Sequence, residues 1–260
     1  MQKVYEELTS AFRRNGGYLS QLSYERIVKK HTSLFEEEPD TLLLILQSSG
    51  YPIDKEGDRY ILESYFTPYF EQQYCIVDIE TNGSKPETAQ VIEVGAVMVQ
   101  NGKIIDRFES FVECTFIPEY VSKITGINTS DLVDASNQTD VLYKLRLFMG
   151  NAVFVAHNAN FDYGFLNYSF EHCGLGTIGN PKLCSIDLSR RTIKSERYGL
   201  SYLSESLDLG EHNAHRAFSD ALATSKLLEI TFKNLPNYVT TTDELLRFST
   251  SSRKERTNSK

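Results

Sequence analysis

The chain has 260 residues, 40 % of them hydrophobic and 24 % charged, a balance that supports a packed core and excludes wholesale disorder. Its formal charge of −8 argues against a protein that coats nucleic acid by charge alone. The longest apolar run, residues 42–46, falls far short of the roughly 20 residues of a membrane span, and the opening MQKVYEELTSAFRR has no apolar signal core.

Residues 1–70 read as a small, mainly helical accessory unit. Helices are expected near 3–14, over 22–31 and in EEPDTLLLILQSSG, whose leading acids suit a helix start. YPIDKEGDRYILES, with Gly57 in a polar turn, reads as a hairpin. Three helices and a hairpin give a winged-helix-like order. A recognition helix brings polar and basic side chains to the major groove. The third helix here is Leu42, Leu43, Leu44, Ile45 and Leu46 without Lys or Arg, which favours packing or protein docking over DNA reading.

A linker over 67–73 leads into the main unit, residues 74–236. YCIVDIE is an apolar, β-branched run ending in acids, and QVIEVGAVMVQ joins GKIIDRFESFVE through Asn101-Gly102, a hairpin signal. AVFVA, at 152–156, is a further strand. Helical patterns occupy 138–149, 160–172, 201–208 and 216–234, with Pro236 ending the last. This order predicts an α/β fold, a mixed sheet flanked by helices. Residues 237–260 are Thr/Ser-rich and expected as a polar, partly disordered tail. Within it Leu245, Leu246 and Phe248 match the apolar half of a sliding-clamp peptide or the buried side of a short amphipathic helix. Cys75, Cys114, Cys173 and Cys184 form no CxxC pair, so neither a zinc ribbon nor a disulfide framework is expected and a reducing cytoplasm fits.

Asp78 and Glu80 end the first buried strand two residues apart and point to one side. Such a pair repels unless a cation lies between, and hard divalent cations prefer carboxylate oxygen; a solvated strand end gives the same pattern. Asp162, in VAHNANFDYGFL, falls in the first turn of a helix that follows a strand. His215 and Asp220, in HNAHRAFSDALAT, are five residues apart, about 500° of helical rotation. They do not share a helical stripe, so His215 belongs to the loop before the helix.

In this order and these contexts, DIETNG, HNANFD and HRAFSDA resemble the three motifs of the DEDDh 3′–5′ exonucleases, with the epsilon proofreading subunit of bacterial DNA polymerase III as the nearest type, over residues 74–235. The resemblance implies a ribonuclease-H-like fold. It implies two Mg²⁺ or Mn²⁺ ions held by Asp78, Glu80, Asp162 and Asp220, with Asp78 bridging both, Glu80 and Asp220 completing the nucleophile side, and Asp162 holding the second ion. His215 would act as general base, a role suited to imidazole; His212, three residues earlier, is the competing histidine. The tyrosine subclass has Tyr where Arg216 stands.

The same resemblance brings Thr81, Asn82 and Gly83 to the 3′-terminal nucleotide, Asn82 being a departure from the usual Thr, and Glu93 to the terminal sugar. It sets His157 and Asn158 beside the metal site, with stabilisation of the turn by capping as the alternative, and Phe161 against substrate bases or as a helix anchor. Thr125-Gly126-Ile127 stands where the family often has His-Gly-Ile. The implied activity is release of nucleoside 5′-monophosphates from single-stranded DNA 3′ ends, in proofreading beside the polymerase III catalytic subunit. RNA trimming and a non-catalytic polymerase-scaffolding or DNA-binding module are the alternatives. With two divalent cations loaded, the acidic middle of the chain no longer repels phosphate.

Overall fold

The computed structural model describes residues 1–31, 39–210 and 213–250. The N-terminal unit runs α1 (Gln2–Arg14), β1 (Tyr18–Ser20), α2 (Gln21–His31), α3 (Pro39–Ser48), β2 (Ile53–Glu56) and β3 (Arg59–Leu62). In α1, Val4, Tyr5, Leu8, Ala11 and Phe12 recur at helical spacing and are buried, and Arg13 and Arg14 in the last turn complement the helix dipole. The predicted helices and hairpin are present. β1, too short to leave a periodic signal, adds a third strand, and the antiparallel order is β1-β3-β2. Tyr24 and Tyr60 stack in the core with ring centroids 3.9 Å apart. α3 divides its leucine run: Leu42, Leu43 and Leu46 point inward, whereas Leu44 is 65 % and Ile45 43 % exposed. The acids of residues 36–38 lie outside the described residues.

A short helix, α4 (Glu63–Phe66), leads on to the main sheet, built from β4 (Tyr74–Thr81), β5 (Val91–Gln100), β6 (Lys103–Phe111), β7 (Val153–Ala156) and β8 (Lys182–Cys184). Its order is β6-β5-β4-β7-β8, antiparallel among β6, β5 and β4 and parallel across β4, β7 and β8. Asn101 and Gly102 both take positive φ in the β5–β6 turn, as the Asn-Gly signal requires. The helices are α5 (Glu119–Thr125), α6 (Thr129–Leu132), α7 (Gln138–Met149), α8 (Ala159–His172), α9 (Ser185–Thr192), α10 (Leu200–Ser206), α11 (Ala217–Lys233) and α12 (Thr242–Thr250). This is the predicted α/β architecture, a ribonuclease-H-like mixed sheet with helices on both faces.

The period of two in β4 distributes its side chains between those faces. Cys75, Val77 and Ile79 join Leu142 and Leu145 of α7 and Phe165 of α8. Tyr74 and Ile76 join Ala221 and Leu228 of α11 and Leu245 of α12. Asp78 and Glu80 continue the second set, toward α11. Gly95 of β5 pairs with Asp78, and a Cβ there would collide with the backbone of Ala217 and Phe218. α11 therefore begins in direct contact with the sheet, which only glycine permits. Gly95→Ala is expected to cost about 1–3 kcal/mol of stability and to lower the thermal midpoint; an unchanged midpoint contradicts the contact.

The linker is held in place, and one expectation, the tail, is corrected. The 67–73 linker is pinned to the start of α12, with Tyr69 N–H donating to Thr240 O at 3.1 Å and Thr242 N–H to Thr67 O at 2.9 Å. Residues 237–250 are not a loose tail, since α12 buries Leu245, Leu246 and Phe248. The amphipathic-helix reading holds there, and these residues are core rather than an exposed clamp peptide. The Thr-rich stretch misleads because its threonines begin a helix: Glu244 accepts the N–H groups of Thr240 and Thr241 at 2.8 and 3.0 Å. Residues 251–260 lie outside the described residues.

The N-terminal unit is seated on the main one. Gly179 N–H donates to Ser49 O at 2.7 Å, Gln2 donates to Ile178 O at 3.0 Å, Tyr5 and Thr177 share a hydrogen bond of 2.9 Å, and Arg13 pairs with the buried Asp243 at 2.8 Å. Among the described residues no helix is long and apolar enough to cross a membrane.

Candidate active site

The end of β4 supplies Asp78 and Glu80 from one face. The first turn of α8 adds Asp162, which is 4 % exposed, its carboxylate accepting its own N–H and that of Ile79. The start of α11 adds Asp220, and the turn before it adds His215. His215 sits at φ +64, an uncommon conformation for a residue with a side chain, and its N–H donates to Asp220 Oδ2 at 3.2 Å. Ligand atoms of Glu80, His215 and Asp220 lie within 4.8 Å of one another. The structure thus brings together all five residues of the three motifs, with His215 in the loop that its spacing from Asp220 demands. His212 lies outside the described residues.

These carboxyls resist ionisation. Asp78 is pushed well above the usual carboxylate range by burial, then by Asp162, Asp220, Glu80 and Glu93. Glu80 rises to about 8, chiefly by burial and then by Asp220, Glu93 and Asp162, with Arg216 opposing. Asp162 rises to about 7 by burial, against the two backbone N–H groups it accepts. Hard oxygen donors crowded at one point fit divalent cations, whose charge would favour the ionised forms.

A pH dependence follows. Asp78, Glu80 and Asp162 hold protons more tightly folded than unfolded, so folding takes up protons and stability falls as pH rises from the ordinary carboxylate range through about 7–8. In EDTA the thermal midpoint is expected to drop from about pH 5 to about pH 8, and saturating Mn²⁺ to flatten the drop. A metal-free midpoint that stays level across this window would contradict the electrostatics.

Several predicted substrate contacts are otherwise engaged. Glu93 is 1 % exposed. Its Oε1 accepts from Arg216 Nη2 at 2.8 Å, and its Oε2 accepts the Ala217 N–H at 3.0 Å. It caps α11 and fixes the residue after His215, so it is not free for a terminal sugar. Asn82 spends its polar groups on its own loop: its N–H donates to Gln90 O at 3.1 Å, its Oδ1 accepts Gln90 N–H at 2.8 Å, and its Nδ2 donates to Phe116 O at 3.1 Å. Thr81 Oγ1 donates to Gly83 O at 2.7 Å. The turn is thereby shaped by internal bonds, and a nucleotide contact through the Asn82 N–H is excluded.

His157 stands close enough to the carboxylates for Asp220 to act on it, and its ring is held by distant partners rather than capping the turn. Nδ1 meets Ser185 Oγ at 2.8 Å and Nε2 donates to Tyr198 O at 2.9 Å. Burial lowers its pKa, which keeps the ring neutral and suits this tautomer. Asn158 is the exposed N-cap of α8 at φ +79, without a side-chain capping bond. Phe161, 38 % exposed, stands beside Asp162 with its ring 5.8 Å from Phe165.

Sequence reasoning did not foresee Arg216, Ser185 or Tyr198 as parts of this neighbourhood. A glutamate inside the apolar run VIEVGAV was the available signal for Arg216, because a buried charge needs a partner.

Fold and site together define a carboxylate-lined, nuclease-type centre at the end of a ribonuclease-H-like sheet. The family model RNase_T, described as exonuclease, matches residues 75–228, and the chain belongs to this family, as the DEDDh motifs imply. Among similar proteins, DNA polymerase III PolC-type of Halalkalibacterium halodurans is 38 % identical over 165 residues, 62 % of this chain and 11 % of that protein. DNA polymerase III PolC-type of Staphylococcus aureus is 34 % identical over 184 residues, 70 % of this chain and 12 % of that protein. The chain thus spans only about an eighth of the length of these curated relatives. Two solved structures share the fold: Escherichia coli exonuclease I in complex with a dA16 oligonucleotide, at 16 % identity and TM-score 0.59 over 68 % of this chain and 43 % of that one, and exonuclease X in complex with 5′-overhanging duplex DNA, at 23 % identity and TM-score 0.54 over 68 % and 99 %.

Proposed function

We propose that the protein is a divalent-metal-dependent 3′–5′ exonuclease that releases nucleoside 5′-monophosphates from DNA 3′ ends, in proofreading beside a replicative polymerase III catalytic subunit. The observation that carries this reading is the convergence of Asp78, Glu80, Asp162, His215 and Asp220 at the end of one strand. The four carboxylates would hold two divalent cations, Mg²⁺ or Mn²⁺, which when bound activate a water and stabilise the charge that develops on the leaving 3′-oxygen.

His215 is exposed while its backbone is tethered to Asp220. This suits a general base, since the imidazole takes a proton from the attacking water and passes it to solvent. Arg216, clamped by Glu93, fixes the turn on which His215 stands. Phe161 offers an exposed ring beside Asp162 on which a terminal base stacks. The similarity to PolC-type polymerases and to enzymes solved with DNA supports DNA over RNA.

The test is a set of 5′-labelled DNA and RNA strands with paired or mismatched 3′ ends. The reading expects stepwise loss from the 3′ end of DNA, faster at a mismatch. A preference for RNA, or cutting within the strand, overturns it.

A further inference from the structure

Besides carrying Asp220, α11 fixes the loop that carries His215. That loop leaves α10 through backbone bonds from Leu207 N–H to Leu203 O at 3.0 Å and from Leu209 N–H to Ser204 O at 3.0 Å. The Leu209 side chain is buried with Leu203 and Leu227, and its carbonyl accepts from Lys226 Nζ at 2.6 Å. Gly210 follows at φ +87, where a Cβ would stand 2.9 Å from that ammonium. Nearer the site, Asn213 N–H donates to Ser219 Oγ at 2.9 Å, and His215 N–H donates to Asp220 Oδ2 at 3.2 Å.

The left-handed backbone of His215, at φ +64, costs free energy and persists only where its surroundings impose it. The side chains of α11 impose it from one side, and the Glu93 carboxylate imposes it from the other through Arg216 and the Ala217 N–H. Lys226 stands six residues beyond Asp220, about 9 Å along the helix axis, and its ammonium meets the root of the loop. The four carboxylates stand on β4, α8 and α11, so their places do not depend on the loop. The place of the imidazole does.

We propose that Lys226 and Ser219 are positioning residues for the general base, a role that rests on the exonuclease reading above. Lys226 holds the root of the loop and Ser219 holds its middle, so that the imidazole arrives in register with the Asp220 carboxylate.

The test is Lys226→Met/Ser219→Ala, which removes the donor and the acceptor at little change in size. In the metal-free protein, hydrogen exchange of the Asn213 and His215 amides should quicken while that of the α11 core does not. With saturating Mn²⁺ and a 12-mer DNA, kcat is expected to fall about 10- to 100-fold, with KM and Mn²⁺ affinity nearly unchanged. The deficit should narrow as pH rises and hydroxide replaces the displaced base. In a His215→Asn background the same two changes should leave kcat where it was, because the group they position is gone. Lys226→Arg/Ser219→Thr, which keeps a donor and an acceptor, should restore most of the turnover. Ser219→Ala alone carries the same comparison, with a smaller loss, if the double variant melts early. Wild-type exchange and kcat in the variants, or an equal loss of kcat in the His215→Asn background, overturn the positioning role. Failure of the wild type to cut any strand overturns the exonuclease reading instead, and the exchange rates keep the two outcomes separable.

Discussion

Asp78→Asn is expected to lower turnover by about 10³-fold or more, the equivalent of roughly 4 kcal/mol of transition-state stabilisation, while raising the thermal midpoint measured in EDTA. The two effects share one cause. Asp78 is buried among Asp162, Asp220, Glu80 and Glu93, so its carboxylate helps to gather cations and burdens the metal-free fold. Burial and these neighbours raise the Asp78 pKa, so the neutral isostere should stabilise the metal-free protein wherever the pH would force the wild-type carboxyl to ionise. Turnover of a labelled strand and a melting curve in EDTA check both halves. A variant that stays active refutes the metal assignment. One that is inactive and also less stable in EDTA points to a structural role for Asp78.

His215→Asn is expected to lower kcat by about 10² to 10⁴, with little change in Mn²⁺ affinity. Asn is the informative choice because it tolerates the left-handed backbone that His215 occupies at φ +64, so the turn and its bond to Asp220 survive. Partial recovery at higher pH, where hydroxide replaces the missing base, distinguishes a base from a ligand; a ligand would lose Mn²⁺ affinity instead. Turnover at the wild-type level would move the base role away from His215.

What was legible in the sequence was local. Asp78 and Glu80 declared a shared face through strand alternation, and the five-residue gap between His215 and Asp220 placed the histidine in a loop, where the structure has it. Contacts distant in the chain were not legible. The Glu93–Arg216 pair joins residues 123 apart; a glutamate inside an apolar run announces that a partner is needed, but not which residue supplies it. β1 and β8 are three residues each, too short for a period of two to register. In the tail, Leu245, Leu246 and Phe248 were legible as the buried side of a short helix, whereas the Thr/Ser-rich composition suggested a looser segment than residues 237–250 form.

A cation-dependent nuclease site at the carboxylate cluster makes a simple demand on cleavage. It is tested most directly by cleavage of a 5′-labelled single-stranded DNA under a Mn²⁺ titration, with an EDTA control and Asp78→Asn run in parallel. The account predicts a ladder that shortens from the 3′ end only when the cation is present and only in the wild type. A ladder that persists in EDTA or in Asp78→Asn would contradict it.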